Sequence, residues 1–416
     1  MGLISRSSIY LSSNILNALV PFLLLPILTR YLGPDEYGQI AMFQTLITGL
    51  AALTGLNVVG AANRKYYDGE ETALAQFNGV CIHILLISSL VLSFICIAFA
   101  REISQLLSIP PIWITCAVII SSANFVIQLR LGQWQIREQA FSFGVLQVSQ
   151  SIVVMIFSLI LIVWLKYGAL GRVDALLLTT IIYSLLSLFL LYRDNLLQLF
   201  PIRKDFFKEA LAFGVPLVPH VVGIFLLSSV DRFFITQKLG IGDAGIYMVA
   251  VQLSLGMAVV FDAINKAMVP WLFRTLAENN PEQLQRLVKF TYLFFIVVFG
   301  LGCLSFVVGP WVVLLVSGEE YRRAVTVIGW LCLGQAFAGM YLMVTNYIFY
   351  AKKTGALSLV TISTGIMNIL LLLYLINIRG IIGVAMAFSI SMCVRFFATW
   401  WLASRLNLVS WKIGNR

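Results

Sequence analysis

Twelve apolar stretches, most reaching the ~20 residues that a helix needs to cross a bilayer, leave this chain few possible folds. They cover residues 7–29, 38–62, 77–100, 109–129, 143–165, 173–192, 210–236, 243–269, 288–309, 324–350, 355–376 and 380–403. A shorter run at 310–317, "PWVVLLVS", cannot cross alone and reads as an extension of the ninth helix or an interfacial piece. A soluble chain of 416 residues would divide into two or three domains with polar surfaces. Only 11% of the residues are charged and 60% are hydrophobic, against about 25% charged in soluble domains, so there is too little polar residue to clothe such domains. The expected fold is an all-α polytopic membrane protein with about 12 transmembrane helices.

No removable signal peptide is expected. The first apolar run follows Arg6, lacks an A-x-A-like cleavage site and feeds directly into further spans. The opening "MGLISR" fails the myristoylation pattern because Arg6 stands where Ser or Thr is required. Cysteines 81, 96, 116, 303, 332 and 393 all fall within spans and form no C-x-x-C pair. They read as small apolar packing residues rather than disulfides or metal ligands.

Alternating loops distribute the 28 Lys and Arg unevenly: 18 fall on the side of the N-terminus, 8 on the other, and Arg232 and Arg395 lie inside spans. The positive-inside rule then predicts both termini in the cytoplasm, as an even number of spans requires. The net charge of +10 is spread over short loops, so topology and anionic lipid account for it and no nucleic-acid partner is expected.

Shifting the chain by 207 residues lays Thr29–Gly49 over Thr236–Gly256 with six identities: Thr29/Thr236, Leu32/Leu239, Gly33/Gly240, Gly38/Gly245, Leu46/Leu253 and Gly49/Gly256. Glu36 and Asp243 are both acidic. Each copy joins the first and second helix of a half. The halves, 1–200 and 201–416, are therefore expected to be parallel six-helix bundles related by a pseudo-twofold axis along the membrane normal, as in transporters. The second copy also contains G-x-G-x-x-G (Gly240, Gly242, Gly245), with Asp262 near the distance of a ribose-binding carboxylate. That reading fails on context: a dinucleotide loop follows a strand, and this one joins two apolar helices. No cofactor is expected.

Three segments resemble the polysaccharide exporter branch of the multidrug/oligosaccharidyl-lipid/polysaccharide exporter superfamily. They are T-R-Y-L-G-x-x-x-Y-G at 29–38, "GVPLVPHVVGIFLLSSVDRFFITQKLG" at 214–240 and "LRLGQWQIREQAFSFG" at 129–144. The resemblance spans the chain. It implies a flippase of undecaprenyl-diphosphate-linked oligosaccharide, for O-antigen or a related surface polysaccharide. Such a protein sits in the bacterial inner membrane and works by alternating access around a cationic cavity, coupled to protons or sodium ions. Polysaccharide polymerase machinery is an implied partner. A drug or metabolite exporter and a membrane polymerase or ligase are the alternatives. The enzyme reading finds no Walker A, H-E-x-x-H or G-x-S-x-G sequence.

Polar residues within spans are the candidate site, because a charge in the hydrocarbon costs at least ~2.5 kcal/mol. Arg6, Asn14 and Asn17 share a polar sector of the first helix with Tyr10 and Ser13, ahead of Pro21 and Pro26. The sector either faces sugar and phosphate or makes interhelical hydrogen bonds. Arg64 and Arg130, at inner helix ends, could gather an anionic headgroup or serve orientation alone. His220 and Asp231 are 11 residues apart and share a helical face. With Arg232 they form either a coupling and gating site or an interfacial ion pair beside a packed histidine. Asp262 and Lys266, four apart, can pair locally. Arg395 has no local acid and suits a diphosphate or an inner-leaflet headgroup.

Overall fold

The computed structural model describes the backbone of residues 3–351 and 354–411. Side chains are described from residue 12 onward within those ranges, except at 220, 227, 354 and 355. Sixteen α-helices follow one another, with no strand among the described residues: α1 (Leu3–Tyr31), α2 (Pro34–Ala51), α3 (Val59–Lys65), α4 (Glu71–Ala98), α5 (Ala100–Leu107), α6 (Pro111–Ile136), α7 (Ala140–Leu159), α8 (Gly168–Arg193), α9 (Lys204–Gly214), α10 (Val218–Ser228), α11 (Val230–Leu239), α12 (Ile241–Glu278), α13 (Pro281–Val316), α14 (Val325–Tyr350), α15 (Thr354–Arg379) and α16 (Ile381–Ser404). Among the described residues, eleven helices are long and apolar enough to cross a membrane, and a bent pair makes a twelfth when taken as one span. The run at 310–317 continues the ninth span, since α13 passes through Pro310 to Val316.

Local chemistry sets the joints. At the start of α2, Pro34 takes the first helical position, where its missing N–H costs nothing. The Glu36 carboxylate accepts the Gly33 N–H at 3.3 Å and the Ala169 N–H at 3.3 Å. Between α12 and α13 the turn takes two residues. Asn279 adopts left-handed backbone (φ 49°), and the Asn280 side chain accepts the Glu282 N–H at 3.0 Å. Gly240, at φ 106°, is the single residue between α11 and α12. The repeated Leu-Gly thus marks a helix joint in both copies. The paired acids differ in partner, because Asp243 meets Arg323 at 2.5 Å.

One expected span is bent and another is locally tightened. The stretch 38–62 is not one helix: α2 ends at Ala51, and the chain resumes over Thr54–Asp68 at an angle of 55°. Gly55, Leu56 and Asn57 carry φ of 65°, 48° and 58°, a region costly for non-glycine residues. Local polar groups take up the freed backbone, as a membrane interior demands. Gly55 N–H donates to Ser88 Oγ at 2.9 Å, Thr54 Oγ1 to the Leu50 carbonyl at 2.9 Å, and Ser121 Oγ to Thr54 Oγ1 at 2.9 Å. The seventh stretch runs as one span over Lys204–Leu226, tightening to a 3₁₀ turn at Val215–Leu217 beside Pro216, and Ser229 then separates α10 from α11.

The chain forms two compact units, 1–237 and 238–416. In the first unit, Phe206 and Ala210 of α9 are buried in the cluster holding Val58, Phe77 and Leu129. In the second unit α14 is central and packs on α12, α13 and α16. Close approach there needs small residues. A Cβ on Gly334 would meet the Phe388 ring at 2.5 Å, and one on Gly339 the Phe261 ring at 2.6 Å. Cys81, Cys96 and Cys332 are buried as packing residues, whereas Cys303 is exposed.

Candidate polar sites within the two units

In the first unit, α1 stays helical through Pro21 and Pro26. Asn17 Oδ1 accepts a hydrogen bond from the Ser151 hydroxyl of α7. This is interhelical glue of the kind expected as one alternative. Asn14 is exposed. The Arg6 side chain lies outside the described residues. Arg64, on α3, is exposed and has no ion-pair partner among the described residues.

Arg130 departs from expectation. The helix continues to Ile136, so this residue lies inside α6 and not at its end. It is fully buried, pairs with Asp194 and stacks its guanidinium on Trp134 at 4.1 Å. Burial pushes the Asp194 carboxyl up, but the guanidiniums of Arg130 and Arg193 outweigh it and hold the group below its ordinary range. Two residues on the same face went unforeseen. Gln133 and Arg137 follow Arg130 at helical spacing, and that spacing was visible in "LRLGQWQIR". Gln133 is fully buried. Arg137 reaches Glu71 at 3.3 Å.

Asp231 and Arg232 form an ion pair at 3.2 Å, and Arg232 Nη1 donates to the Ser228 carbonyl at 2.5 Å across the α10–α11 break. Arg232 thereby satisfies a carbonyl that the interrupted helix has freed. The break also removes the premise that His220 and Asp231 share one continuous helical face. The His220 side chain lies outside the described residues.

In the second unit, Asp262 and Lys266 pair at 2.6 Å with both side chains substantially exposed. Beside them Asn346 Nδ2 donates to Asn265 Oδ1 at 2.7 Å, an interhelical contact with no local sequence signal. Arg395 of α16, like Arg172 of α8, whose Nη1 donates to Ser158 Oγ at 2.5 Å, has no carboxylate partner among the described residues. The Arg395 Nη2 donates to Tyr341 Oη at 2.9 Å and lies 3.4 Å from Thr361 Oγ1, its Cζ sits 4.0 Å from the Tyr341 ring centroid, and its buried Nε has no partner. Its partners are neutral, so no acid compensates its charge among the described residues. A guanidinium in such surroundings keeps an unused capacity for bidentate hydrogen bonding.

Long apolar helices, interrupted spans and ionisable groups at membrane depth define a multi-pass transport-type membrane protein. The family described as "Polysaccharide biosynthesis protein" matches residues 3–276, and the chain belongs to it. It is 26% identical over 367 residues to Lsg locus protein 1 of Haemophilus influenzae, covering 86% of this chain and 87% of that one. A second H. influenzae protein, described as an uncharacterized membrane protein, is 29% identical with 86% of each chain covered. The succinoglycan biosynthesis transport protein ExoT of Rhizobium meliloti is 23% identical, covering 80% of this chain and 66% of that one. Among solved structures, the lipid II flippase MurJ in an inward closed conformation superposes with a TM-score of 0.76 at 16% identity, covering 96% of this chain and 87% of that one. An inward-facing multidrug-resistance transporter of the MATE family matches with a TM-score of 0.73 at 16% identity, covering 98% of both chains. These neighbours share the 12-helix, two-lobe fold.

Proposed function

We propose that this protein is a flippase. It moves undecaprenyl-diphosphate-linked oligosaccharide units, of the O-antigen or a related surface-polysaccharide type, from the cytoplasmic to the periplasmic leaflet of a bacterial inner membrane. Membership of a polysaccharide biosynthesis family supports the class of cargo. The observation that carries the chemistry is Arg395, a guanidinium inside a span with only hydroxyl and ring partners. A diphosphate would supply the missing negative charge through bidentate hydrogen bonds. Exposed Arg64 and Lys266 would add attraction for the anionic headgroup, and Asn14 would meet sugar hydroxyls. The ion pairs Asp231–Arg232 and Asp262–Lys266 are the groups whose protonation or sodium exchange would couple to alternating access. Both termini lie in the cytoplasm in this reading, with the polymerase machinery acting after release.

A deletion strain tests it. The strain should accumulate lipid-linked units in the cytoplasmic leaflet and lose surface glycan, and complementation should restore both. Normal surface glycan in the deletion strain would defeat the proposal.

A further inference from the structure

The bend of the second span lies against the 3₁₀ turn of the seventh. A Cβ on Gly214 would sit 2.2 Å from the Leu56 carbonyl oxygen, and one on Gly60 would sit 2.9 Å from the Phe213 ring. Below this contact, Lys65 of α3 bridges to Glu209 of α9 at 3.1 Å. So α3 and α9 pack as a pair, each joined to the rest of its span through a short non-α-helical segment: 52–58 for α3 and 215–217 for α9.

Beneath α3 runs the polar face of α6. Gln133 has neither Nε2 nor Oε1 partnered, Arg130 leaves Nε and Nη1 without a partner, and Arg137 leaves Nε and Nη2. Asn63 covers this face from α3: a Cβ on Gly132 would lie 2.5 Å from its Oδ1, which is also unpartnered. Buried polar groups without partners are costly, and left-handed Leu56 and Asn57 add backbone strain at the joint. Such costs recur at ligand clamps and switch regions.

We propose that α3 and α9 form one leaf, hinged at 52–58 and 214–217, and that lifting it off α6 uncovers a sugar-binding stripe. The stripe is Asn63, Arg130, Gln133 and Arg137, flanked by the rings of Trp134 and Tyr66. Its chemistry selects the ligand. Asp194 and Glu71 already balance the two arginines, so the stripe is near neutral and ill suited to a bare phosphate. Its free groups are a mixture of donors and acceptors beside aromatic faces. Hydroxyl groups, which both donate and accept, complement that mixture. The choice of a lipid-linked sugar rests on the flippase reading; the leaf does not.

The test uses Gln133→Cys as a reporter in the full chain, with the native cysteines replaced, and a water-soluble maleimide. Two further cysteine pairs are each joined by a short reducible linker. Linking Asn63→Cys to Gly132→Cys, leaf to α6, should abolish modification at 133, and reduction should restore it. Linking Gly60→Cys to Phe213→Cys, within the leaf, should leave modification unchanged. Modification that survives the first link, or is lost with the second, overturns the leaf. For the ligand, the reporter is reconstituted with lipid extracted from the deletion strain, intact or after mild acid removal of the sugar. Slower modification with intact extract only supports the sugar stripe. Equal slowing by both, or slowing by neither, overturns it. A failed flippase reading would show in the strain's glycan and leave the cross-linking result standing.

Discussion

At the scale of single residues, Arg395 and Arg130 show two ways of keeping a guanidinium in a membrane bundle. Arg395 has only neutral partners, Tyr341 and Thr361. Hydrogen bonds involving charged groups contribute about 1.5–3 kcal/mol, so Arg395→Gln should slow transport about 10- to 100-fold with normal protein levels. Arg395→Lys should fall between, because it keeps the charge and loses the planar fork. Flipping assayed in reconstituted vesicles checks both, and wild-type rates in Arg395→Gln would reduce the residue to packing. Arg130 instead has Asp194. The carboxyl of Asp194 is held below its ordinary range, by Arg130 and Arg193 against burial. The pair's contribution is therefore complete above the ordinary carboxylate pKa of about 4 and is lost as pH falls through the lower folded value. Thermal stability in detergent should be level from about pH 5 to 8 on this account and decline below about 4. Asp194→Asn should cost roughly 1–3 kcal/mol at neutral pH and flatten the acid decline.

Among the elements, those that hydropathy does not describe carry the most information. Length and apolarity located the spans, although α6, α12 and α13 each pass an expected end by seven to nine residues where polar residues continue the helix. A helix crossing lipid must satisfy its backbone internally and so declares itself as one long run. The same run hides its interruptions. "LTGLNVVG" (53–60) is as apolar as a continuous helix, and what breaks it is long-range: Ser88 and Ser121, on α4 and α6, supply the hydrogen bonding at the bend. Prolines 216 and 219 were visible, but that the turn beside them packs on the bend of the second span was not. The site was legible in a similar measure. Local pairs such as Asp262–Lys266 follow from helical spacing, whereas Asp194, 64 residues from Arg130, and Tyr341, 54 residues from Arg395, do not. The bend gives its own prediction. A Cβ on Gly55 would lie 2.2 Å from the Phe125 ring at a φ of 65°, so Gly55→Ala should cost about 1–3 kcal/mol. Ser88→Ala should cost about as much, roughly 1–3 kcal/mol, by orphaning the Gly55 N–H. Denaturation midpoints in detergent measure both, and no change in either would mean the bend has other support.

For the whole molecule, the distribution of basic residues and the lengths of the helices make one argument about orientation. Of 28 Lys and Arg, 18 are assigned by the alternating loops to the side of the N-terminus, or 17 once Arg130 is counted inside α6. The helix α12 has 38 residues, or about 57 Å at 1.5 Å per residue, well beyond the ~30 Å hydrocarbon layer. Tilt takes up part of the surplus and the rest emerges. The Asn279–Asn280 joint lies at one end of α12, with Arg274 before it and Arg286 and Lys289 after it on α13. Basic turns projecting from a membrane are retained on the cytoplasmic side, where anionic lipid adds about 1 kcal/mol per Lys or Arg. The opposite end of α13 leads to Ser317 and the ion-paired Arg323, which the same rule places outside. Alkaline phosphatase fused after residue 318 should therefore be active, and fused after residue 279 inactive, with a fluorescent reporter at the C-terminus glowing in the cytoplasm. The reverse pattern would invert the direction assigned to Arg395 and place the α3–α9 leaf on the periplasmic face, so this measurement comes before any reading of which leaflet the substrate leaves.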